Sequence, residues 1–78
     1  MHKEIQLAIS DQAAVLNALS KTEGPLVLEE IAAMASISFE RAWYTVLELI
    51  ELRFIGMAGI SLYVLTAHGI EAADRIAQ

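Results

Sequence analysis

Apolar positions along this chain change their spacing several times, and each change marks an element. Ala14, Val15, Ala18 and Leu19 recur at helical intervals, which predicts a helix capped by Ser10 or Asp11 and running to about Ser20. Ile5, Leu7 and Ile9 before it either extend that helix or pack as an arm. Lys21 to Pro25 is a turn cluster in which Gly24 and Pro25 end the helix. Leu26 and Val27 form a very short strand. Leu28 to Ala35 then makes a second helix with Leu28, Ile31 and Met34 inward. Its start is poorly capped, because Val27 stands where Ser, Thr or Asp usually accepts from the first amides.

After a Ser36-Ile37-Ser38 turn, Ser38 caps a third helix that reaches about Leu52, and Glu40 in its first turn suits the helix dipole. At about 100° per residue, Ala42, Val46, Leu49 and Arg53 share one line of this helix, while Trp43, Leu47, Ile50 and Phe54 share the next. With Leu52 the apolar arc spans roughly 220°, about twice what one core-facing stripe needs. Glu40, Arg41, Tyr44, Glu48 and Glu51 form the remaining polar strip. Two β-prone runs follow, predicting a hairpin that pairs Phe54 to Met57 with Leu62 to Leu65. Thr66 caps a last helix over Ala67 to Gln78, with Ile70, Ala73 and Ile76 or Ala77 inward. The expected fold class is mainly α with a small β-hairpin, in the order α-β-α-α-β-β-α, as one domain over residues 1–78.

Composition sharpens the picture. Of 78 residues, 56% are hydrophobic, a large share for a chain whose core is only just sufficient. Surplus apolar surface points to self-association. Net charge is −5, from ten acidic and five basic residues, which disfavours broad contact with nucleic-acid phosphates. There is no cysteine, so disulfides and thiolate metal sites are excluded, and cytoplasm is the default compartment. Charges at Glu40, Arg41, Glu48, Glu51 and Arg53 interrupt the most apolar stretch, so no membrane span is expected. The N-terminus, MHKEIQLAIS, does not have the apolar run of a signal peptide.

Candidate chemistry is sparse. His2 and His68, with Glu4 and Glu71 nearby, do not make a metal-ligand spacing. The pairs Glu29 with Glu30 and Glu48 with Glu51 have no partner base or nucleophile, and GMAG is not a nucleotide-binding fingerprint. No enzyme, metal or cofactor is expected.

GPLVLEEIA as strand and helix start, ASIS as the turn, and Ala42, Val46 and Leu49 as core positions of FERAWYTVLELIELRFI resemble the winged helix-turn-helix superfamily. The likeness is especially to compact regulators similar to the MarR and ArsR groups. YVLTAHGIEAADRIA looks like the end of that family's wing and its closing Leu-Thr-x-x-Gly-x-x-x-Ala helix. The resemblance covers nearly all of the chain beyond Asp11. It implies a homodimeric DNA-binding transcription regulator that reads duplex DNA with the third helix and wing. By position it assigns Ser38, Arg41, Tyr44 and Arg53 to DNA contact.

The departures from that pattern are chemical. Phe39, Glu40, Arg41, Trp43 and Tyr44 stand where the family usually places Ser, Thr, Arg, Lys, Asn or Gln, and the MAGIS wing tip carries no Lys or Arg. Arg53 stands where a glycine often precedes the first wing strand. Arg41 and Arg53 either contact phosphate or pair with Glu30, Glu48 or Glu51. Trp43 and Leu47 either complete the core or, with Ile50, form a patch for another protein or a second copy. The two functional expectations are the regulator and an acidic winged-helix interaction module that does not bind DNA, such as a mobile-element protein acting on a host factor.

Overall fold

The computed structural model describes residues 2–77, with side-chain surroundings described for residues 11–76. Four helices and one antiparallel hairpin make up the fold: α1 (His2–Ser20), α2 (Leu28–Ala35), α3 (Phe39–Glu51), β1 (Ile55–Gly59), β2 (Leu62–Leu65) and α4 (Ala67–Ala77). The chain is therefore mainly α with a small β-hairpin. Helix α1 packs against α2, α3 and α4, so it forms the spine of the molecule.

Helix α1 does not start at Ser10 or Asp11, as the capping pattern predicts, but runs through both. Asp11 is not spent on backbone amides, because its carboxylate is bound by Arg41 of α3. Ile5 and Ile9 lie outside the residues whose side chains are described, as do His2, Lys3, Glu4 and Leu7.

The expected short strand shrinks to one bridge. Leu26 N–H donates to the Tyr63 carbonyl at 3.0 Å, and Tyr63 N–H returns a bond to Leu26 at 2.9 Å. Helix α2 keeps its predicted bounds, and its weak start is partly repaired. Valine offers no acceptor, so only the return half of a capping box forms: Val27 N–H donates to the Glu30 carboxylate at 3.1 Å. Ser38 caps α3 as expected, its hydroxyl accepting from Arg41 N–H at 3.1 Å.

Helices α2 and α3 end in the same way. Ile37 N–H reaches back to the Ala32 carbonyl and Ser36 N–H to Ala33; Phe54 N–H reaches Leu49 and Arg53 N–H reaches Ile50. These paired bonds close a Schellman motif, which needs one residue in the left-handed region. Ser36 (φ 58°) and Arg53 (φ 67°) take that conformation, where glycine is the usual choice.

The hairpin pairs Ile55 with Leu65, Gly56 with Val64 and Met57 with Tyr63; a bulge at Ala58 shifts the register before Gly59 meets Leu62. Phe54 stays out of the strand because its amide is held by the α3 end and its carbonyl accepts from Thr66 N–H at 3.0 Å. Thr66 then ties the last helix down. Its hydroxyl donates to the Arg53 carbonyl at 2.5 Å and accepts from Gly69 N–H at 3.1 Å.

Val15, Leu16, Leu19, Leu26, Leu28, Ile31, Ala42, Val46, Leu49, Ile55 and Ala73 form the core, with Leu65 packed against it. Three inward assignments are corrected. Met34 is exposed, because the buried line of α2 is Leu28, Ile31 and Ala32 and Met34 falls about 120° away. Ile70 and Ile76 are exposed too. The junction at Thr66 turns Gly69, Ala72 and Ala73 inward instead, and a Cβ on Gly69 would run into the Phe54 carbonyl.

Val46→Ala and Leu49→Ala should each lower stability in urea unfolding by about 2–4 kcal/mol, from lost burial plus a cavity. Gly69→Ala tests the junction. In an open helix this change stabilises by about 1 kcal/mol. Here it should destabilise by roughly 2 kcal/mol or more, since backbone must shift to admit the methyl group.

Candidate functional site

The face of α3 away from the core carries most of the residues expected to contact DNA or protein. Ala42, Thr45, Val46 and Leu49 are buried and set the rotation of the helix. Arg41 and Glu48, both exposed, are linked to α1 through Asp11 and Gln12. The rest of the open face is an arc beginning at Phe39 and passing through Trp43 and Leu47 to Glu40, Glu51 and Tyr44.

Trp43 and Leu47 therefore do not complete the core. They are 46% and 44% exposed, and Phe39 and Tyr44 are more open at 52% and 63%. Phe39, Trp43 and Leu47 are spaced i, i+4, i+8 and so form one stripe. Ile50, grouped with them in the sequence, is half-buried and packs against the core beneath the stripe. Phe39 is the member that sequence reasoning had left out of the apolar patch, although its spacing from Trp43 was the available signal.

The four residues assigned to DNA contact are not brought together as a basic surface. Arg41 is the one Lys or Arg between residues 39 and 52. Its Nη2 donates to Asp11 Oδ1 at 2.5 Å and its Nε to Oδ2 at 3.0 Å. This fork-on-carboxylate pairing fixes the plane of the guanidinium. Hydrogen bonding to Asp11, and then its charge, hold the guanidinium still more firmly protonated than usual. The glutamates named as partners are not used: Glu30 accepts from Val27 N–H and Glu48 from Gln12 at 3.4 Å. Asp11 lies thirty positions before Arg41 in the chain and carried no sequence signal for this role.

Ser38 holds the α3 cap by accepting from Arg41 N–H, and its side chain is otherwise exposed. Tyr44 is open to solvent. Arg53 is exposed, but its backbone belongs to the α3 end and its carbonyl to Thr66. The hairpin tip presents Met57 and Ile60, the latter 95% exposed, and no cation.

Elsewhere the chemistry is thin. His68 Nδ1 lies 3.8 Å from Glu71 on an exposed turn of α4. Among the described residues no three His, Asp or Glu side chains converge as a metal site, and no buried side-chain nitrogen or oxygen lacks a hydrogen-bond partner. A cleft of about 360 Å³ between the end of α1, β2 and α4 is lined by Leu19, Thr22, Glu23, Val64, Ile70 and Asp74. No described helix is long and apolar enough to cross a membrane.

No protein-family model, no curated protein and no solved structure matches the chain.

The α1–α3 pair has a direct check. Asp11→Ala and Arg41→Ala should each lower the urea midpoint, and the double variant should lose less than the sum. Strictly additive losses would remove the pair from the energetics of the fold.

Proposed function

We propose that this chain is a winged-helix domain, of the general architecture of the MarR and ArsR regulators, that docks onto protein through α3 rather than reading duplex DNA. One observation carries the reading: the only cation of α3 is bound to Asp11, while Phe39, Trp43 and Leu47 stand open as a stripe. A DNA-reading helix needs donors for phosphates and base edges, and it gains nothing from an apolar stripe facing a charged polymer. Aromatic side chains in a patch of low polarity are what protein partners use as anchors. The role is binding, with no catalytic step.

The order of elements and the open Tyr44 favour the regulator as second reading. That reading asks Arg41 to leave Asp11, and it asks a wing tip of Met57, Gly59 and Ile60 to approach phosphate without a cation.

We also propose a homodimer through the terminal helices. Ile70 and Ile76 of α4 are exposed, and Ile5 and Ile9 stand on α1. Burial of about 600 Å² of apolar surface between copies is worth on the order of 15 kcal/mol before the costs of association.

Titration of fluorescent random duplex should give micromolar or weaker affinity at physiological salt, with the shallow slope of about two to four phosphate contacts. Asp11→Ala frees Arg41 and should steepen that slope by about 0.9. Nanomolar binding by the unmodified chain at moderate salt would reject the protein-docking reading. Sedimentation at micromolar concentration should show a dimer, which Ile70→Glu with Ile76→Glu dissolves; a monomeric parent chain rejects the dimer.

A further inference from the structure

Resting on the docking reading above, we infer that the occupant of the α3 face is a basic amphipathic segment of another protein, with apolar anchors on the stripe and Lys or Arg along its edge. The stripe is not flanked by neutral surface. At about 100° per residue, Glu40 lies about 20° beyond Leu47 around the helix and Glu51 about 20° further. Glu40, Glu48 and Glu51 are all exposed. The one positive charge of α3, Arg41, is already paired with Asp11, and the next cation, the exposed Arg53, lies past the helix end. The face is thus half apolar and half acidic, with no cation of its own to answer the carboxylates. A second copy presents the same carboxylates, so self-pairing through α3 sets acid against acid, and the net charge of −5 adds to that repulsion. An amphipathic segment with a cationic margin satisfies both halves at once. Its apolar residues cover Trp43 and Leu47, and its Lys or Arg meet Glu40 and Glu51.

Trp43 is the only tryptophan, so its emission reports directly on the stripe. The probes are two synthetic helical peptides, each about 18 residues or five turns long, with one shared leucine face and a polar face of either lysine or glutamate. The lysine peptide should shift Trp43 emission to the blue and bind at least about tenfold tighter than the glutamate peptide at low salt, with the gap closing as salt rises. Glu40→Lys with Glu51→Lys should abolish or reverse the preference. Glu71→Lys, half that change of charge placed on α4, should leave most of it. Leu47→Ala should weaken the lysine peptide without loss of fold.

Equal binding of both peptides at Trp43 overturns the basic occupant and leaves the docking face standing. A preference unmoved by the α3 charge reversals, but lost in Glu71→Lys, overturns it as well, since the peptide then follows charge elsewhere on the protein. A Trp43 that ignores both peptides also overturns it. If that silent Trp43 answers random duplex DNA in the same titration, the docking reading falls with it.

Discussion

A helix can bury only the arc that its neighbours cover, and α3 carries more apolar arc than α1, α2 and the hairpin enclose. Ala42, Val46 and Leu49 sit at or near zero exposure, and they set the rotation of the helix. Once that line faces inward, Phe39, Trp43 and Leu47 have no neighbour left to cover them. Among the described residues no further layer covers them. The open stripe is therefore a consequence of the core rather than a defect in it. Turning α3 to hide Trp43 would bring Val46 and Leu49 into water, a poor exchange given that they lie at the centre of the cluster.

The same rotation decides the fate of Arg41. It turns the residue toward α1, where Asp11 lies mid-helix and only 13% of its side chain is exposed. A carboxylate that shielded is costly to leave without a partner, so the guanidinium is held in place by the need of Asp11 as much as by its own. The interaction that fastens α1 to α3 is thus the one that pairs off the only cation of α3, although that side chain stays half exposed. Stability and surface chemistry are coupled at a single pair, and releasing Arg41 for another purpose would leave Asp11 stranded.

Much of this was legible in the spacing of apolar residues. The bounds of α2 and the strand Leu62–Leu65 stand as predicted, α3 and α4 end within one residue of expectation, and Val15, Leu19, Leu28, Ile31, Ala42, Val46 and Leu49 are buried as expected. Periodicity reports local structure well, and these elements are local. It failed where a long-range contact overrode a local signal. Asp11 looked like a helix cap because capping is local, whereas its partner lies thirty residues on. Ile70 looked inward because isoleucine is apolar. The rotation of α4 is set instead by Thr66 and by Gly69 resting on the Phe54 carbonyl. Glycine plays no part in the ends of α2 and α3. Among the described residues no glycine has positive φ, while Ser36, Arg53 and Ser61 do. Ser36 and Arg53 close the ends of α2 and α3, so the helix stops here come from hydrogen-bond closure rather than from residue preference.

The candidate site was legible as a set of alternatives and not as a choice among them. Sequence alone left Trp43 and Leu47 divided between core and surface, because both sit within the 220° arc and only packing decides which part of it is covered. That division has a functional side. The residues that hold the fold (Ala42, Thr45, Val46, Leu49) and those that face outward (Phe39, Glu40, Trp43, Leu47, Glu51) occupy different sides of one helix. None of these five outward residues belongs to the core cluster, so the core leaves the choice of outer side chains open. The Schellman ends, the Thr66 junction and the Leu26–Tyr63 bridge are indifferent to that choice. Architecture therefore narrows what this chain can be, and the charge and polarity of the outward arc of α3 carry the rest of the argument.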